Sequence, residues 1–359
     1  MRNIKSVKSI GQNLRGKKVL VRVDFNVPIK NGKVEDDFRI VKALPTIKFL
    51  LQRGAKIILI THLGEDGKAA LDPVIKHFFK ISKLSKKDIS FFDNVRKFEG
   101  EMKNDQVFAK KMAQMGDLYV NEAFSVSHRT HASVVSLPKY LPSFAGFQFE
   151  KEIKNLSRVL VKTRHPFLFI LGGVKFSTKM PLIKKYLQLA DNVFVGGALA
   201  NNFFQAQGYE IGRSVAGDSV SVLKSILKNK KLILPEDVFV KSGNKLIVKR
   251  TNEIEKNEEV LDVGNETVGK LKDLIQKSKI ILWNGPLGKY EEKNGALSTK
   301  KILKMVASAK AESIVGGGDT VALISKMKME KKFSFVSTGG GATLDFLVYG
   351  TLPGIKALK

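Results

Sequence analysis

The chain has no cysteine. Disulfides and thiolate metal sites are therefore excluded, and the cytosol is the default expectation for its compartment. No segment approaches the roughly 18 consecutive apolar residues of a membrane-spanning helix. The first residues, Met1 to Gly16, are basic but lack the apolar stretch of a signal peptide. A strand-like segment starts near Val19, so no removable leader is expected. Acidic residues are scarce: 34 Asp and Glu stand against 62 Lys and Arg, a net charge of +28. Such an excess attracts polyanions, among them nucleic acid, anionic membrane and substrates that carry several phosphates. The excess is mostly lysine and is scattered along the chain, as in Lys83-Leu84-Ser85-Lys86-Lys87 and Lys228-Asn229-Lys230-Lys231. No single arm holds it, so neither a dedicated nucleic-acid role nor a membrane role is expected.

What is present is a globular composition. The 359 residues exceed one ordinary core and suit two domains, and 43% hydrophobic content argues for packing over disorder. Short apolar runs recur at Val19–Phe25, Ile57–Thr61, Asp117–Phe124, Phe167–Leu171, Asn192–Val195, Lys231–Leu234, Ile280–Trp283, Ile314–Val315 and Phe333–Val336. Each is followed by Gly, Asn or Asp and then by a helix-like stretch. Ala43–Leu51, Asp72–Phe79 and Lys300–Ala309 have helical spacing. Continuous apolar runs alternating with amphipathic segments predict an α/β fold with parallel sheets covered on both faces. Pro138 and Pro142 punctuate the chain before a charged, helix-like Glu150–Leu160, so a boundary is expected near Pro138–Lys154.

In open parallel sheets, ligands bind beyond the carboxyl ends of the strands. Nearly every unusual polar or glycine-rich cluster here lies at such an end. In the first half, Asp24 and Asn26 alternate with apolar neighbours and face one side. Arg39, His62 in Thr61-His62-Leu63-Gly64, Arg96 in Asp93-Asn94-Val95-Arg96, and Arg129 in Ser127-His128-Arg129-Thr130-His131 follow other strand ends or open a helix. Singly, these are ordinary caps and surface cations. Together they form a basic pocket, because arginine's planar fork fits carboxylate and phosphate oxygens. In the second half, Gly172-Gly173 precedes Lys175 and Lys179, four residues apart. Gly316-Gly317-Gly318-Asp319-Thr320 joins a strand to a helix, and Ser337-Thr338-Gly339-Gly340-Gly341 repeats the arrangement. Open N–H groups at a positive helix end suit phosphates, and Asp319 suits Mg²⁺. Gly11–Lys17 and Gly264–Lys270 imitate a P-loop but continue with Lys18 and Leu271, where Ser or Thr should hold magnesium, and are rejected.

The motifs Val19–Pro28, His128–Ser133, Gly172–Lys179, Trp283-Asn284-Gly285-Pro286, Gly316–Thr320 and Gly339–Gly341, in this order and spacing, resemble those of the phosphoglycerate kinase family. The resemblance runs from end to end, down to Leu352-Pro353-Gly354. It implies two Rossmann-like domains with parallel sheets flanked by helices, facing each other across a hinged cleft. The implied division is 1–149 for 3-phosphoglycerate, 150–162 as an interdomain helix, 163–340 for nucleotide, and 341–359 as a tail returning to the first domain. It implies a monomeric, cytoplasmic glycolytic enzyme that interconverts 1,3-bisphosphoglycerate and ADP with 3-phosphoglycerate and ATP, using Mg²⁺. By motif match, Asp24, Phe25, Asn26, Arg39, His62, Leu63, Gly64, Glu65, Arg96 and Arg129 would bind the glycerate. Lys179, Gly196, Gly197, Pro286, Glu291, Gly317, Gly318, Asp319 and Thr320 would bind nucleotide, Asp319 also the metal. Arg39, Lys175 and Lys179 would be catalytic. Phosphoryl transfer needs alignment and positive charge more than covalent help, and a carboxylate acceptor needs no general base. That agrees with the lack of any Ser/His/Asp set. The family usually has Arg-Pro where Glu65-Asp66 stands, often has Pro at Asn265, and is usually longer. Another acyl-phosphate kinase and a non-catalytic basic binding protein are the rival readings.

Overall fold

The computed structural model describes residues 4–160, 164–217, 223–292 and 294–359. The chain forms two compact units. One contains residues up to Lys154 together with Gly341–Lys359, and the other contains Asn155–Gly340.

In the first unit five parallel strands lie in the order Ile89–Phe91, Lys56–Ile60, Lys18–Arg22, Leu118–Asn121, Ser143–Ala145. In the second, six parallel strands lie in the order Leu232–Ile233, Asn192–Val195, Phe167–Leu171, Ile280–Asn284, Glu312–Gly316, Phe335–Val336. Counted along the chain, the first sheet reads 3-2-1-4-5 and the second 3-2-1-4-5-6. Each order reverses between its first and fourth strands, and a crevice opens at such a reversal, at the carboxyl ends. The central strands of the second sheet are buried throughout because helices cover both faces: every residue of Phe167–Leu171 and Ile280–Asn284 is buried, and only the last, Asn284, is polar.

Three features lie outside the sequence reading. Ile89–Phe91 and Ser143–Ala145 are three-residue edge strands. Ile29–Lys30 pairs with Lys33–Val34 in a small hairpin. Asp237–Ser242 is flanked by Lys245–Arg250 and Glu258–Val263 in an antiparallel sheet. Helices are also longer than their periodic stretches. The helix over Ala43–Leu51 begins at Phe38 and carries Pro45 inside it. The helix expected over Glu150–Leu160 is instead shifted toward the N-terminus: it runs Phe147–Ser157, across the division between the units at Lys154 and Asn155. Residues 161–163, where the expected interdomain helix ends and the expected nucleotide domain begins, lie outside the described residues, as do residues 1–3 of the basic N-terminus.

Several helices take their N-terminal caps from distant buried carboxylates. Glu122 accepts from Gln148 N and Phe149 N, each at 3.1 Å. Asp237 accepts from Glu266 N at 3.0 Å and Thr267 N at 2.8 Å. Asp262 accepts from Ser298 N at 2.8 Å and Thr299 N at 3.2 Å. Orphan helix N–H groups need such acceptors; burial raises the Glu122 pKa to about 8 and the Asp262 pKa to about 7, so these two serve as hydrogen-bond acceptors more than as fixed charges. Gly264, in the second false P-loop, is part of one cap: a Cβ on it would sit 2.2 Å from the Asp237 carboxylate.

Candidate active site

At the reversal in the first unit, the chain leaves strand Lys18–Arg22 and carries Asp24 into a buried polar cluster. Arg39 reaches it from the first turn of helix Phe38–Gln52 and donates through Nη1 to Asp24 Oδ2 at 2.7 Å and to Asn26 O at 3.1 Å. Asn26 N donates to Asp24 Oδ1 at 3.1 Å, and the Ser125 hydroxyl donates to Oδ2. Burial raises the Asp24 pKa, but the Arg39 guanidinium and these hydrogen bonds outweigh it and hold the carboxyl at about 2. The group is a fixed anion at any physiological pH. Asn26 Oδ1 accepts from Gly64 N at 3.0 Å, tying this strand end to the next.

His62 is buried behind Asp24. Arg22 Nη2 lies 3.5 Å from His62 Nδ1. Arginine has no acceptor, so Nδ1 accepts and Nε2 keeps the proton. Burial, then Arg22, Arg96 and Arg39, overcome the opposing pull of Asp24 and lower the His62 pKa to about 3. His131 falls to about 4 through burial and then Arg96, Arg22 and Arg129, and His128 is lowered by burial and Arg129. All three imidazoles are neutral at pH 7, so the pocket's positive charge comes from its arginines. Arg22 is pinned by Ser133 Oγ at 2.8 Å, which donates in turn to buried Glu101 at 2.6 Å.

Arg96 Nη1 donates to Gly64 O at 2.9 Å and to Glu65 Oε2 at 2.8 Å. Its main chain is set by Asn94, whose side chain also holds Leu63 O at 2.8 Å and Ala69 O at 2.9 Å. Of the ten residues expected for the acid, Asp24, Asn26, Arg39, Gly64, Glu65 and Arg96 are joined by direct hydrogen bonds, and His62 lies 3.9 Å from Asp24. Phe25 and Leu63 instead send their side chains into the core. Arg129 is exposed and forms no ion pair among the described residues.

The reversal in the second unit is built of close backbone contacts. Gly172 N donates to Asn284 O at 2.9 Å, Gly173 N to Pro286 O at 2.8 Å, and Gly197 N to Leu287 O at 3.0 Å. A Cβ on Gly172 would sit 2.1 Å from Pro286 O, and one on Gly197 would sit 2.8 Å from Gly173 N. Only glycine allows these strand ends to meet. Trp283 Nε1 donates to Gly285 O at 2.7 Å and holds the turn before Pro286. Beside them is a cavity of about 300 Å³, with Gly173, Gly197, Pro286, Leu287, Tyr290, Glu291 and Asp319 in its wall.

Lys179 is buried behind Gly173, and its Nζ donates to Gly172 O. Burial lowers its pKa to about 8, against Asp319, which raises it. Asp319 is exposed and accepts from the Tyr290 hydroxyl at 2.9 Å. Thr320, in the first turn of helix Gly318–Lys326, and Asn284 each bury a polar side-chain atom, Oγ1 and Nδ2, with no hydrogen-bond partner. A buried orphan is costly unless a ligand satisfies it. Lys175 is exposed at the N-terminal cap of helix Phe176–Leu189. Gly196 is outside the cavity wall and packs against Leu287. No cluster of three or more metal-ligating side chains occurs among the described residues. Sequence reasoning missed Arg22, Ser125, Asn284 and Tyr290. An arginine closing an apolar strand and an asparagine inside Trp283–Pro286 were available signals; nothing local marked Ser125.

A family model described as phosphoglycerate kinase matches residues 7–83 and 76–349. The phosphoglycerate kinase of Dictyoglomus turgidum is 39% identical, over 97% of each chain. That of Borreliella burgdorferi is 39% identical, over 99% of this chain and all of its own. Among solved structures, the phosphoglycerate kinase of Coxiella burnetii covers 99% of both chains with a TM-score of 0.85 at 36% identity.

Proposed function

Because the chain belongs to the phosphoglycerate kinase family, we propose that the arginine pocket of its first unit holds 3-phosphoglycerate and that the cavity of its second unit holds ATP or ADP. The enzyme is a phosphotransferase with a carboxyl acceptor: it moves a phosphoryl group reversibly between 1,3-bisphosphoglycerate and ADP, giving 3-phosphoglycerate and ATP. The observation that carries the division of labour is the glycine-walled cavity of about 300 Å³ with Asp319 in its wall, Lys179 packed against the wall residue Gly173, and the unsatisfied Thr320 hydroxyl next in the chain to Asp319. An apolar slot with phosphate-binding groups at one end fits a nucleotide.

Asp24, ionised and held by Arg39, accepts a hydrogen bond from the glycerate hydroxyl. His62 offers its Nε2–H, and Arg96 and Arg129 meet the acid's anionic groups. Arg39 keeps its charge throughout and stabilises the equatorial oxygens in transfer. Lys175 is solvent-exposed and free to follow the moving phosphoryl group. Lys179 meets phosphate oxygens from a site that excludes water, where each charge counts for more. The exposed carboxylate of Asp319 fits Mg²⁺, which prefers one or two carboxylates with phosphate oxygens and water. Bound there with nucleotide, the metal supplies charge neutralisation at the phosphates. Each unit carries one substrate and direct transfer requires the two to meet, so hinge closure belongs to the proposal. The same reading takes the enzyme as a cytoplasmic monomer, checked by sedimentation.

A coupled assay with 3-phosphoglycerate and MgATP tests the proposal. Turnover that disappears with EDTA is expected. No turnover above buffer from protein shown to be folded by circular dichroism refutes it.

A further inference from the structure

Glu65 makes a contact that the transfer reaction does not need. Its Oε2 lies 2.8 Å from Arg96 Nη1, yet the two side chains differ in setting: Arg96 is 4% exposed and Glu65 is 79% exposed. Arg96 does not depend on Glu65 for its position. Asn94 fixes its main chain, and Gly64 O accepts from the same Nη1 at 2.9 Å. The loop presses on it from the other side, since a Cβ on Gly67 would fall 2.4 Å from the Arg96 carbonyl. Arg96 Nε is buried and has no hydrogen-bond partner. The guanidinium is thus a fixed, incompletely satisfied anion site, and the group on it is a solvent-exposed carboxylate tethered to the chain. Removing that carboxylate costs Glu65 little, because water already covers most of it.

We propose that Glu65 is a built-in competitor for the anion site at Arg96, so that the acid substrate binds by exchange with it. The inference rests on the reading that this pocket takes 3-phosphoglycerate. Any ligand that needs Arg96 first breaks a charge-assisted hydrogen bond, and its apparent affinity falls by the occupancy of that bond. The penalty is levied on binding alone. It is equal for every anion that uses Arg96, and it leaves the nucleotide and the transfer step untouched.

The test combines kinetics with a ligand that needs no turnover. Glu65→Gln keeps the side-chain shape and removes the charge. It is expected to lower the KM for 3-phosphoglycerate about three- to tenfold at low ionic strength, the range for a half-exposed pair with one buried arginine. The kcat and the KM for ATP are expected to stay unchanged. Calorimetric titration with inorganic sulfate is expected to show tighter binding by a similar factor. In an Arg96→Gln background, Glu65→Gln is expected to change neither value. Unchanged sulfate binding and glycerate KM in Glu65→Gln overturn the proposal. So does an equal gain in the Arg96→Gln background, which assigns the effect to through-space repulsion. Tighter sulfate binding by Glu65→Gln, found together with a wild-type enzyme that shows no turnover, instead keeps the competition at Arg96 and overturns the choice of substrate.

Discussion

Replacing Lys179 by methionine should make the ligand-free enzyme more stable at neutral pH while abolishing transfer. The residue is 8% exposed, and its ammonium sits where Gly172, Gly173 and Gly285 converge. Burial brings its pKa from 10.5 to about 8 in the folded protein. Below pH 8 the amine is charged in both the folded and unfolded chains, and folding bears the full cost of burying that charge. Between pH 8 and 10.5 the folded chain gives up its proton first, so the cost shrinks; above that range it vanishes. At about 1.4 kcal/mol per tenfold change in proton affinity, the cost near pH 7 is about 3 kcal/mol. Methionine has similar length and no charge, but it leaves Gly172 O unpaired, which returns about 1 kcal/mol. A net gain of about 2 kcal/mol is expected at pH 7, falling to about zero at pH 10. Trp283 is the chain's one tryptophan and lies in the same unit, so urea unfolding followed by its fluorescence reports the relevant transition. A variant less stable than wild type at pH 7, or an equal difference at pH 7 and pH 10, refutes the reasoning.

Arg39→Ala and Lys175→Ala are each expected to lower kcat far more than they raise KM, by about 2–4 kcal/mol of transition-state stabilisation; an effect confined to KM in steady-state kinetics contradicts the role given to that residue. His62, held at about 3 by burial and three arginines, is expected to stay neutral from pH 8 down to pH 5; an NMR titration with a midpoint between 6 and 7 contradicts that electrostatic account. Both substrates together are expected to compact the protein and either alone to do so weakly; equal radii of gyration by small-angle scattering in the free and ternary states argue against closure.

What was legible in the sequence was local burial and local backbone freedom. The run Phe167–Leu171 reads as a buried parallel strand because all five positions are apolar, and the strand has these bounds. Clusters such as Gly172-Gly173 and Gly316-Gly317-Gly318 mark strand ends because only there must backbone come close to backbone or ligand. Their order along the chain was enough to identify the family. Strands with weak burial left no such trace. Lys245–Arg250 has a largely exposed surface, and Ser143–Ala145 is too short for any period to register. The tertiary structure alone decided the 3-2-1-4-5 order, which places Ser125 beside Asp24 across 101 residues of chain. It alone revealed that helices at Gln148, Glu266 and Ser298 are capped by Glu122, Asp237 and Asp262, none of which precedes its helix in the usual capping position. It also turned Glu65 toward Arg96. Periodicity and composition report how much water a residue avoids. Which charge meets which depends on contacts between segments far apart in sequence, and these exist only once the sheets are assembled.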